Sequence, residues 1–171
     1  MIDTHTHLDG EEFLEDLPEV IARAREAGVE QVFLPAIDLK SCHTVLDVCR
    51  RYQGYALPML GIHPEEVRAD WREQLAEIRK VIDQNLASTD AAEARVIAIG
   101  EVGLDYYWSR EFEEEQLLCF EEQVRWSIEL GLPLMIHCRK GQNEMVKLLR
   151  KYEKDLRRSL TISFWPLRQR A

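Results

Sequence analysis

Short apolar runs recur along this chain, separated by longer amphipathic segments, and that alternation limits its possible folds more than any other feature. Residues 31–37 (QVFLPAI), 55–62 (YALPMLGI), 95–99 (RVIAI) and 132–136 (LPLMI) are brief and rich in branched side chains. Gly, Pro or polar residues bound them, which is the pattern of buried strands. Helical spacing fills the intervals at 17–27, 41–52, 71–85, 112–130 and 144–152. Gly28, Gly54 and Gly131 stand where helix C-termini favour glycine, and Ser41 is placed as an N-cap. The opening Met1-Ile2-Asp3 fits a first strand. Strands that alternate with helices run parallel with right-handed crossovers, and wholly apolar strands suit a sheet covered on both faces.

The expected fold is therefore α/β, of the TIM-barrel type. A complete eight-fold barrel takes about 250 residues, and this chain has 171. About five to six of the eight βα units are expected, in a partial barrel domain over residues 1–156. Residues 157–171 break the pattern, with four arginines and no acid, and are expected to form an atypical basic tail. Within it, Thr161 to Trp165 is a candidate sixth strand.

Charge and cysteine usage narrow the function. Lys plus Arg number 22 against 31 Asp plus Glu, a net charge of −9. That balance argues against a passive nucleic-acid coat, which binds by a basic footprint. It leaves room for an enzyme whose bound cations meet phosphates. The four cysteines are scattered with no CxxC pair, as expected for reduced thiols in a cytoplasmic protein. The N-terminus has no signal-peptide pattern, and no uncharged apolar run approaches the ~18 residues of a membrane helix.

The candidate chemistry gathers where strands end. In Asp3-Thr4-His5-Thr6-His7 the two histidines share a side, because residues i and i+2 of an extended chain do. Glu101 follows the apolar run Val96–Ile99, between Gly100 and Gly103, placed to project from a strand end. His137 closes the apolar run Leu134-Met135-Ile136. Parallel α/β folds assemble their sites at the C-terminal ends of strands. His5, His7, Glu101 and His137 are accordingly expected to hold divalent metal, and nitrogen and oxygen donors without thiolate suit Zn²⁺, Mn²⁺ or Mg²⁺. Two such ions would activate water and clamp a phosphoester. Cys138 should point to the other side of its strand, into the core. His63 after the third strand is either a phosphate contact or a loop histidine. Arg139, two residues past His137, is placed as a fork for phosphate. His43 is expected at the surface. Tyr106, Tyr107 and Trp108 either stack on bases or pack within a loop.

Four motifs together resemble the TatD-type metal-dependent hydrolases: D-T-H-T-H at the start, G-I-H-P after the third strand, G-E-V-G-L-D-Y-Y after the fourth and I-H-C-R after the fifth. They fall in the family's order and cover about residues 1–156. The resemblance implies a TIM barrel, two divalent ions and Mg²⁺-dependent DNase activity, often 3′-to-5′ exonuclease. It implies that His5 and His7 bind one ion, that Glu101 bridges and is catalytic, and that His137 binds the second. His63 and Arg139 match positions near the scissile phosphate. The family continues with a histidine in an H-x-F-S-G-like motif and a later T-D aspartate. Here no histidine follows His137, and Asp155 is the only later aspartate. A truncated or frameshifted gene is the expectation that follows. DNA or another phosphodiester is the expected partner, with no membrane and no obligate protein partner. Two alternatives stand beside this reading. One is an inactive fragment that binds metal weakly or pairs with another chain. The other is a different metal-dependent phosphoesterase on a related barrel, against which the G-E-V-G-L-D-Y-Y segment argues.

Overall fold

A computed structural model describes residues 1–156 and the backbone of 161–164. Six strands form one sheet in the order in which they occur along the chain: β1 (Ile2–Asp3), β2 (Gln31–Pro35), β3 (Ala56–Leu60), β4 (Ala98–Asp105), β5 (Leu134–Arg139) and β6 (Thr161–Phe164). Every neighbouring pair is parallel. A doubly wound sheet would reverse its order at a switch point; this one does not, and the fold is an incomplete barrel of the TIM type. The helices α1 (Leu17–Glu26), α2 (Leu39–Arg51), α3 (Trp71–Ala87), α4 (Glu113–Leu130), α5 (Gln142–Lys151) and α6 (Glu153–Leu156) make the crossovers. Residues 161–164 form the sixth strand; the remainder of the expected tail, 157–160 and 165–171, lies outside the described residues. No helix among the described residues is long and apolar enough to cross a membrane.

The sheet's two faces are separable by residue parity. Leu60, Ile99, Leu134 and Ile136 join the main core beneath the helices, whereas Met59, Ala98 and Met135 form a smaller cluster with Phe33 and Ile97. Alternate residues of a strand point to opposite faces, so the smaller cluster marks the inner face of the unfinished barrel. Fully burying a side chain such as Leu60 or Ile99 stabilises the fold by roughly 1.5–3 kcal/mol.

Two sequence-derived boundaries shift. Asp38, not Ser41, caps α2: its carboxylate accepts from Ser41 N at 2.7 Å, while Ser41 Oγ accepts from the Asp38 and Ile37 amides at 2.8 Å each. The serine thus sits in the first turn of the helix as the second half of a capping box. β4, expected to stop at Ile99, continues through both glycines to Asp105, so Glu101 lies within the strand rather than beyond it. His137 likewise lies inside β5.

Buried amides tie helices to strand ends. Gln116 of α4 accepts from Asp105 N at 2.9 Å and donates to Asp105 O at 3.1 Å. About two turns further along the same face, Gln123 accepts from Ile62 N at 2.8 Å. Asn85 of α3 makes the same kind of bond to Ala94 O and Val96 N ahead of β4. These side chains satisfy peptide groups that the sheet ladder leaves unpaired, which burial would otherwise penalise.

Candidate metal centre

One irregularity of β4 decides which way Glu101 points. Between the pairs Ile99↔Leu134 and Val102↔Ile136, β4 advances by three residues while β5 advances by two. Glu101 stands an odd number of residues from Ala98, so a regular strand would turn it outward, beneath the helices. The extra residue inverts the parity. Val102 and Leu104 then join the main core, and Glu101 and Asp105 face inward with His137, whose Cα pairs with Gly103. His5 and His7 arrive from the chain just beyond β1, and His63 from the turn beyond β3.

Glu101 is 7% exposed and lies at the centre of the cluster. Its Oε2 is 3.2 Å from His5 Nε2, which is 3.1 Å from His7 Nε2. Its Oε1 is 3.1 Å from His137 Nδ1 and 3.8 Å from His63 Nε2. The other His137 nitrogen, Nε2, lies 2.8 Å from Asp105 Oδ2. Two groups of donor atoms therefore share one carboxylate: His5, His7 and Glu101 on one side, His63, Glu101 and His137 on the other, each within 4.8 Å.

Electrostatics follow from burial and these contacts. Burial alone would raise the Glu101 pKa, but hydrogen bonds to His137 and His5 outweigh it and hold the carboxyl below its usual range. Burial would also lower the His137 pKa; its bonds to Glu101 and Asp105 overcome this and raise it. At His63 burial wins over the pull of Glu101, and the pKa falls to about 4.

The hydrogen bonds assign different roles to the two inner histidines. His137 Nε2 faces Asp105, which is 2% exposed and whose Oδ1 accepts from Tyr107 N at 2.9 Å. Without a metal, both ring nitrogens of His137 donate to carboxylates; with Nε2–H kept on the fixed Asp105, giving up the Nδ1 proton would turn that nitrogen into the lone pair a metal ligand needs. His63 is the reverse: its Nδ1 accepts from Glu65 N at 3.2 Å, so in the neutral ring Nε2 carries the proton. His63 accordingly offers a hydrogen-bond donor rather than a ligand at the cluster.

The donor set fits divalent cations. His5 and His7 bring two imidazole nitrogens face to face at 3.1 Å beside a carboxylate oxygen, an arrangement that needs a shared proton or a cation between the lone pairs. The residues that would hold metal are His5, His7, Glu101 and His137, with the Glu101 oxygens facing the two sides. All four come together as one cluster. The Arg139 guanidinium lies over the Tyr107 ring, its Cζ 3.5 Å from the ring centre. His43 is exposed and Cys138 is buried in the main core. Sequence reasoning missed Asp105, although its even separation from Glu101 on one strand was a usable signal.

A family model described as TatD related DNase matches residues 2–161. The 3′-5′ ssDNA/RNA exonuclease TatD of Cronobacter sakazakii is 33% identical over 149 residues, covering 87% of this chain and 53% of that protein. An uncharacterized metal-dependent hydrolase of Bacillus subtilis, YabD, is 30% identical over 151 residues, covering 88% and 55%. The crystal structure of YJJV, a TatD homologue from Escherichia coli, superposes with a TM-score of 0.83 at 26% identity, covering 98% of this chain and 61% of that one. The chain thus spans about half the length of the curated relatives it matches.

Proposed function

This chain belongs to the TatD-related DNase family, and on that footing we propose that it is a metal-dependent hydrolase of nucleic-acid phosphodiester bonds, working from the 3′ end of single strands. The observation that carries the reading is Glu101, buried and anionic, with one oxygen turned to His5 and the other to His137. A carboxylate so placed suits two ions a few ångströms apart. Bound there, Mg²⁺, Mn²⁺ or Zn²⁺ would lower the pKa of a water and offset charge on the phosphate.

The chain's own residues divide the remaining work. His5 and His7 hold one side of the centre and His137 the other, with Glu101 common to both. Asp105 fixes the His137 ring through its Nε2–H, and Gln116 fixes Asp105 through its peptide. His63, kept neutral by burial, presents Nε2–H to a phosphate oxygen. Arg139, on the same side of β5 as His137, offers its guanidinium fork to the phosphate. The thiols take no part: burial pushes Cys42, Cys49 and Cys119 up to about 12, and unreactive, unpaired thiols suit the cytoplasm.

The test is release of nucleotides from 3′-labelled single-stranded DNA with Mg²⁺ present or chelated. Cleavage should require the metal. Even residues that only orient metal ligands cost about 10–100-fold when replaced, so Glu101→Gln should lose on the order of 100-fold or more. Cleavage that persists in chelator, or is equal in Glu101→Gln, would refute the reading.

A further inference from the structure

A cavity of about 430 Å³ opens beside the cluster, and one of its walls is Asp105, the residue that holds His137. Its other walls include the turn at Pro64–Glu66, which His63 caps, and the segment that carries Trp108, Glu111 and Phe112. The volume lies within the range of small-ligand sites. Trp108 lines it and packs edge to face against its neighbour Tyr107, the ring centres 4.7 Å apart, the two side chains 69% and 46% exposed. Arg139 lies over the Tyr107 ring and 5.3 Å from that of Trp108. Two large aromatic side chains left in water beside a buried cluster are costly surface, and a cation stacked on them holds their orientation.

The charge on the walls selects among ligand parts. Glu65, Glu66, Asp105 and Glu111 line the cavity, against one cation, Arg68. Arg68 is already engaged, its Nη1 donating to the carbonyls of Glu65 at 2.6 Å and Val67 at 2.9 Å. Such walls repel a phosphate but accept hydrogen bonds from ring N–H and amino groups, and Trp108 and Phe112 supply faces for a planar ring. Arg139 and His63, the groups assigned to the phosphate, do not line this cavity.

Resting on the phosphodiesterase reading, we propose that this cavity is a nucleobase subsite. Trp108 stacks on the base of a nucleotide adjoining the scissile phosphate, and the acidic rim excludes the backbone. A base lodged there cannot be paired, so the subsite selects unpaired ends by shape and stacking rather than by sequence.

The test follows the tryptophan emission of the 171-residue chain, and measures affinity by calorimetry, in titrations with deoxyadenosine 5′-monophosphate and, separately, with 2-deoxyribose 5-phosphate. The nucleotide should quench emission saturably and bind about tenfold more tightly than the baseless sugar phosphate, within the stacking range. Trp108→Ala should abolish that quenching and bring the two ligands to equal affinity, and Trp108→Phe should restore part of the difference. Equal affinities in the wild-type chain, or quenching that persists in Trp108→Ala, would overturn the subsite. Metal-dependent release of p-nitrophenolate from methyl p-nitrophenyl phosphate, which has no nucleobase, reports on the hydrolytic reading separately.

Discussion

His63 and His137 have rings only 4.4 Å apart, centre to centre, yet their surroundings drive their pKa values in opposite directions. His63 is dominated by burial and falls to about 4, whereas His137 is held between Glu101 and Asp105 and rises. In an unfolded chain both would take up a proton near pH 6.5. Between 6.5 and about 4 the folded chain binds fewer protons at His63 than the unfolded chain, so its contribution to stability is lost as pH falls through that window. His137 has the other sign: its contribution is complete below 6.5 and is lost as pH rises through its folded value. In chelated protein, imidazole signals followed by nuclear magnetic resonance should show His63 neutral down to about pH 4 and His137 charged above its ordinary midpoint. A His63 midpoint near 6.5 would contradict the burial that keeps its ring neutral.

Strand β4 carries two site carboxylates because its glycines let it pass close to β5. Gly103 has φ +148, and a Cβ there would be driven into the carbonyl oxygen of His137, the residue it must orient. Gly131, at the end of α4, has φ +65, but nothing lies within 4 Å of the place a Cβ would occupy. Gly131→Ala should therefore cost only the left-handed backbone penalty, about 1–2 kcal/mol. Gly103→Ala adds a backbone collision and should cost about 3 kcal/mol or more, read as the larger drop in thermal midpoint; equal drops would contradict the close approach. The same strand shows what could be read in advance. The run Val96–Ile99 announced a buried strand, and the histidines of its neighbours announced a metal cluster. The Gly-Glu-Val-Gly spacing reads as a turn, because sequence does not reveal that an extra residue is absorbed in mid-strand. That single shift turned Glu101 inward, and it also placed Asp105, unassigned from the sequence, on the inner face. Sequence does not decide between the two roles of His63, because they depend on which nitrogen Glu65 N–H occupies, a contact fixed only by the turn at Pro64.

Among the described residues, strand order, the direction of the sheet and the placing of functional groups at one end all agree with a barrel assembled in sequence, of which six strands are described. The alternation of short apolar runs and helices was enough to specify that plan, since parallel neighbours with helical crossovers leave few topologies. His5 and His7 after β1, Glu101 of β4 and His137 of β5 are proposed to form one divalent centre around the shared Glu101 carboxylate. Calorimetric titration of the chelated, then dialysed chain with Mn²⁺ tests it most directly, with Glu101→Ala alongside. Binding to the wild-type chain should be saturable, and Glu101→Ala should remove it from both halves of the centre. No binding by the wild-type chain, or unchanged affinity and stoichiometry in Glu101→Ala, would contradict it.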